Sequence, residues 1–172
     1  MLSINFLLPS NTFILLNRIA ETGAKASMFG LANFFEAAGA VTAALTTAII
    51  AVRLRRIRAS QLMAPIALAL LLCLTNGIWA TIISLTIVTA LVTVYNIILF
   101  SQLQREIPRE KMGRVIAVIT TSSAAVMPLG NLVFSKLSTT IPTHMLIWAT
   151  SITLLTARLA ITIGNRKHGG SV

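Results

Sequence analysis

Long apolar runs separated by short basic or turn-forming breaks set the pattern of this chain. The run MFGLANFFEAAGAVTAALTTAIIAV, residues 28–52, is long enough to cross the ~30 Å hydrocarbon core as a helix, which satisfies its own backbone there. It ends at RLRRIR, which places Arg53, Arg55, Arg56 and Arg58 within six residues. About forty residues without a charge follow, too long for one span and the length of two. Turn formers coincide at Thr75, Asn76 and Gly77, with Trp79 placed for an interface, so the spans are expected at 60–78 and 80–102. A polar island, QREIPREKMGRVIAV at 104–118, interrupts the apolar pattern. Beyond it, spans are expected at 115–136, with Pro128 inside, and at 144–164, leading to a basic tail at 165–172. The opening MLSINFLLPSNTFILLNR reads as a partial span, 1–17, the tail of a helix whose beginning is missing, with Pro9, Ser10 and Asn11 between two short apolar halves. With no basic residue before Arg18 and no small-residue cleavage pattern, it does not read as a signal peptide.

Composition agrees with that pattern. The chain is 56% hydrophobic and 10% charged, against about 25% charged in soluble domains, and its mean hydropathy is +0.87. The expectation is a single all-α membrane domain over 1–172, a polytopic helical bundle of about five to six transmembrane helices in contact with the lipid bilayer. The net charge of +10 does not point to nucleic acid, because Lys and Arg fall in clusters between apolar runs. If six segments alternate, the links 53–59 and 103–114 and the tail share one side, which then carries ten Lys or Arg. Arg18, Lys25 and Lys136 are on the other. The asymmetry predicts a multi-pass cell-membrane protein with its links and C-terminus in the cytoplasm. Arg158, inside the last span near its cytoplasmic end, is expected to snorkel. The single cysteine, Cys73, excludes an internal disulfide and a Cys-based metal motif.

Polar residues inside the spans fall on helical faces. Thr86, Thr89, Thr93 and Asn96 share one, as do Thr120, Ser123, Met127 and Asn131. Asn33, Glu36, Ala40, Ala43 and Thr47 form a small and polar stripe, whereas MAPIALALLLCL is apolar all round. For any single threonine, bonding to its own backbone or close helix packing, at about 0.6 kcal/mol per contact, outweighs substrate contact. Glu36 is the acid inside a span, where a charge costs on the order of 3 kcal/mol, so it must be protonated, paired or facing water. Functionally it is placed to bind a cation or take up a proton; structurally it is placed to reach the interface or pair with Lys25. In the island, Pro108 suits the first turn of a short helix PREKM that Gly113 would terminate, with Glu110 four residues before Arg114. Pro128 is expected to bend its span. His144 and His168 have no neighbouring acid or cysteine, and there is no metal spacing, nucleophile elbow or phosphate loop, so neither an enzyme nor a cofactor is expected.

The order Gln104, Ile107–Pro108, Gly113–Arg114–Val115 and then Pro128–Leu129–Gly130 resembles the loop and eleventh helix of the major facilitator superfamily. The branch it is most similar to holds the bacterial macrolide-efflux and enterobactin-exporter proteins. Pro9, and Phe29 with Gly30, resemble the end of helix seven and the approach to helix eight. The resemblance implies the C-terminal six-helix half of such a fold with its first helix incomplete. It implies that helices eight, ten and eleven line a cavity while nine is peripheral. Asn33, Glu36, Thr86, Thr89, Thr93, Asn96, Thr120, Ser123 and Asn131 then become candidates for the substrate and proton pathway. Pro108, Gly113, Arg114, Pro128 and Gly130 become candidates for gating. The chain departs from the family in RLRRIR, which lacks the usual Gly and Asp, and at Ser135, where a further glycine is common. The implied activity is export of small organic molecules, of drug or siderophore type, by alternating access and proton exchange. A single half requires a partner, either an N-terminal half or a second copy of this chain. The rival readings are an inactive remnant and a membrane interaction protein without transport.

Overall fold

The computed structural model describes residues 2–50, 57–75 and 77–168, all of them in helices or short connections. Met1, residues 51–56 with Arg53, Arg55 and Arg56, Asn76, and 169–172 at the end of the tail lie outside the described residues. The helices are α1 (Leu2–Leu7), α2 (Pro9–Thr22), α3 (Ser27–Ile49), α4 (Met63–Leu71), α5 (Ile78–Glu106), α6 (Arg109–Thr140) and α7 (Thr143–His168). Single 3₁₀ turns at Ala59–Leu62 and Leu72–Leu74 extend α4 at both ends. By length and composition α3, α5, α6 and Thr143–Gly164 of α7 can each cross a membrane, while Ala59–Leu74 is shorter.

Several boundaries differ from the sequence expectation for physical reasons. The division falls at Leu8, between α1 and α2: Pro9 takes the first position of α2, where a missing N–H costs nothing, and the Ser10 hydroxyl donates to the Leu7 carbonyl. The first segment therefore runs on to Thr22, where Gly23, at φ +64°, closes α2 in the left-handed region. The island is also mostly helical. The chain leaves helix only at Ile107 and Pro108, and Pro108 caps α6 from outside its first turn. Gly113 does not end a short helix but sits inside α6, which continues for 32 residues through Pro128. Helices of 29 and 32 residues measure roughly 43 and 48 Å at 1.5 Å per residue, so α5 and α6 outreach a ~30 Å core.

Side-chain bonds show how the helices alternate. Gln102 near the end of α5 donates to the Ile57 carbonyl at 3.0 Å, which brings the 57–59 link beside the α5–α6 connection. At the other end Asn17 of α2 donates to the Ser138 carbonyl of α6 at 3.2 Å, and Arg18 to the Cys73 carbonyl at 2.8 Å. The described basic residues Arg58, Arg105, Arg109, Lys111 and Arg114 are thus at the same end of the bundle.

The core comes mainly from four segments: Ile14 and Leu15 of α2, Met63, Ile66 and Leu70 of α4, Leu85 and Val88 of α5, and Leu146 and Ile147 of α7 are all at most 2% exposed. The all-round apolar character of α4 follows from this position. It packs against both α5 and α7, and within Met63–Leu71 Leu68 is the exposed residue. The Ser151 hydroxyl donates to the Ala67 carbonyl, and the Cys73 thiol to the Ser84 hydroxyl, which itself donates to the Ala69 carbonyl. Cys73 is fully buried. Two helices add little to this core, Ala32 from α3 and Phe134 from α6: α3 lies mainly along α5, and α6 along α1 and α2. Their outer faces, with Val41, Leu45 and Ile49 on α3 and Leu129 and Leu132 on α6, are open.

Candidate functional site

Glu36 is held where α3 crosses α5. Two small residues on α3 make the crossing close: Ala43 is buried, and at Gly39 the two helices all but touch. A β-carbon at position 39 would meet the Thr86 Cγ2 at 2.8 Å and its carbonyl oxygen at 3.1 Å. Small residues four apart permit such an approach in lipid. One turn before Gly39, the Glu36 carboxylate comes into reach of α5, and the Thr89 hydroxyl donates to its Oε2 at 2.9 Å. Glu36 is half-buried and so keeps one side open. Its hydrogen-bond partner is Thr89, not Lys25, which is exposed.

The other candidates divide by how their polar atoms are used. Thr86 donates to the Ile82 carbonyl and Thr93 to the Thr89 carbonyl, so these hydroxyls are satisfied within α5. Asn33 is exposed and bonds the Phe29 carbonyl, and Thr120 is exposed and bonds the Ile116 carbonyl. Asn131 is exposed on α6. By contrast the Asn96 Oδ1 and the Ser123 Oγ are buried and have no hydrogen-bond partner among the described residues. Within the stripe on α3, Ala43 and Thr47 are buried, while Asn33 is turned out. That face is thus partly a helix contact and only partly an open polar surface.

Of the gating candidates, Gly130 has a definite structural role. It is buried, and a β-carbon there would collide with the Phe6 carbonyl oxygen and press on Pro9, so α6 meets the α1–α2 junction at Gly130. Phe6 and Phe134 rings stack at a tilt beside it, with centroids 5.8 Å apart. Pro108, Gly113, Arg114 and Pro128 are exposed. Glu110 and Arg114 are on one continuous helix, both exposed.

A second polar cluster escaped the sequence reading. Arg18, 6% exposed, donates to Glu21 at 2.8 Å and to the Cys73 carbonyl at 2.8 Å, while Glu21 accepts from the Thr143 hydroxyl. This ties α2 to the end of the α4 segment and the start of α7. The signal in the sequence was an Arg and a Glu three apart beside an apolar run, a spacing that pairs on a helix. The Gly39 and Ala43 spacing was equally visible as a packing motif.

No family model, no curated protein and no solved structure matches this chain.

Proposed function

We propose that this chain is a six-helix half of a membrane carrier of major facilitator type, which exports small organic molecules in exchange for protons. The observation that carries the reading is the Glu36 carboxylate, half-buried within a helix long and apolar enough to span, and bonded across to Thr89 on another. A membrane helix keeps a carboxyl group at a cost of about 3 kcal/mol, and such groups mark ion and substrate pathways. Thr89 can donate to the carboxylate, a bond that weakens when the acid is protonated and its charge is lost. The open faces of α3 and α6 support the need for a second lobe, supplied by an N-terminal half or a second copy. The gathering of described Arg and Lys residues at one end supports a cytoplasmic placement of that end, under the positive-inside bias.

The test is drug accumulation in cells expressing the chain together with a candidate N-terminal half. Efflux that depends on both pieces, and that Glu36→Gln abolishes while membrane insertion is unchanged, supports the carrier. Efflux untouched by Glu36→Gln removes the site. No efflux with any partner returns the chain to the class of membrane interaction proteins or remnants.

A further inference from the structure

Near the Pro108 end of the bundle, α5 and α6 part. Between the last turns of α5, the start of α1 and the first half of α6 lies an open cleft of about 510 Å³. Leu99, Leu103 and Ile119 give it apolar walls, and Ser3, Ser122 and Ser123 add three hydroxyls. No charged side chain among the described residues lines it. Sites for drug-sized ligands measure roughly 300–1,000 Å³ and combine apolar walls with a few polar groups, and this cleft has both properties.

Ser123 is the second observation. It is 4% exposed, and its Oγ has no hydrogen-bond partner among the described residues. Thr120 one turn earlier satisfies its hydroxyl on the Ile116 carbonyl of its own helix, as membrane threonines commonly do. A buried hydroxyl left unpaired is costly unless something completes it. Ser123 is one of the residues that line the cleft, so its hydroxyl is the group there that a ligand oxygen would complete.

We propose that the cleft binds neutral, largely apolar organic molecules of drug size that carry a carbonyl or hydroxyl oxygen, which accepts the Ser123 proton. The lack of charge among the described residues of the lining disfavours an ionised ligand, whose hydration would be lost without compensation. The cleft's role as a substrate chamber rests on the carrier reading; binding itself does not.

The test uses the full chain in phosphatidylcholine nanodiscs and photolabelling with a neutral aryl-diazirine alcohol, followed by peptide mapping. Saturable labelling of the segments around 99–103 and 118–123 is expected. Ser123→Ala should weaken it about three- to tenfold, the worth of one hydrogen bond. Ser123→Leu should abolish it by filling the space, and Leu103→Trp should do so from the opposite wall if the first variant fails to fold. The matching aryl-diazirine carboxylate should label the cleft at least tenfold less, given the cost of burying an unpaired charge. The proposal is overturned by non-saturable labelling spread over lipid-facing residues such as Ile49 and Leu132, or by saturable labelling indifferent to both filling variants. It is equally overturned if a photoactivatable phosphatidylcholine occupies the cleft and the alcohol cannot displace it. Binding is read without transport, so a failed efflux assay and an empty cleft are separate results.

Discussion

Gly39 of α3 lies so close to Thr86 of α5 that a β-carbon at position 39 would stand 2.8 Å from the threonine's Cγ2. The same approach brings Glu36 to Thr89, so packing and polar chemistry on α3 depend on one glycine. Gly39→Leu should therefore separate the two helices and destabilise the bundle by about 1–3 kcal/mol, as overpacking does. Gly30→Ala, where an added β-carbon meets nothing within 4 Å, should be near neutral. Unfolding midpoints in a detergent titration would compare the two; equal midpoints would mean that α3 does not press on α5.

The hydrogen bond itself should appear in a double-mutant cycle. Combining Glu36→Met with Thr89→Val should reveal a coupling of about 0.6–1.7 kcal/mol, the range found for polar pairs between membrane helices. Thr89→Ser, which keeps the hydroxyl, should retain it. Strict additivity of the single changes would argue that the two side chains do not bond in the bilayer.

Burial is unequal in the Arg18–Glu21 pair, whose side chains are 8% and 44% exposed. Removing the acid strands a buried guanidinium on the Cys73 carbonyl, whereas removing the cation leaves a carboxylate that water can reach. Glu21→Met should thus cost more than Arg18→Met, up to about 3 kcal/mol, and the double variant should recover most of the loss. Thermal unfolding in nanodiscs would give the order, and the reverse order would count against the arrangement.

Two glycines of α6 should behave oppositely when changed to alanine. At Gly113 the new methyl meets nothing, and relief of glycine's backbone entropy should leave stability unchanged or raise it by about 0.5–1 kcal/mol. At Gly130 the methyl collides with the Phe6 carbonyl and should drive α6 from the α1–α2 junction. Measured losses of similar size at both sites would remove Gly130 as the contact.

Topology can be read by labelling. With buried Cys73 as a silent background, a cysteine at exposed Glu110 should react with a membrane-impermeant maleimide only in opened cells, while one at exposed Thr139 should react in intact cells. The opposite result would invert the chain in the bilayer.

Local signals were legible wherever one helix decides the outcome. Apolar runs gave the helices, and the turn formers around Gly77 marked the start of α5 at Ile78. The island misled, because a run of charged side chains with a proline and a glycine resembles a loop, yet the chain leaves helix only at Ile107 and Pro108 before α6 begins. Periodicity found polar faces but not their partners. Thr86, Thr89 and Thr93 share a face, yet only Thr89 meets Glu36, since partner choice depends on where α3 crosses α5.

By itself the sequence determined an all-helical chain with several segments fit for lipid and with its cations in clusters, because hydrophobic length and charge are properties of single segments. Tertiary structure alone decided that α4 is enclosed, that Arg18 is buried in a three-way clamp, and that Ser123 is left without a partner beside an open cleft. Those outcomes depend on which faces meet and how closely, and helix-to-helix distance is set by side chains far apart in the chain.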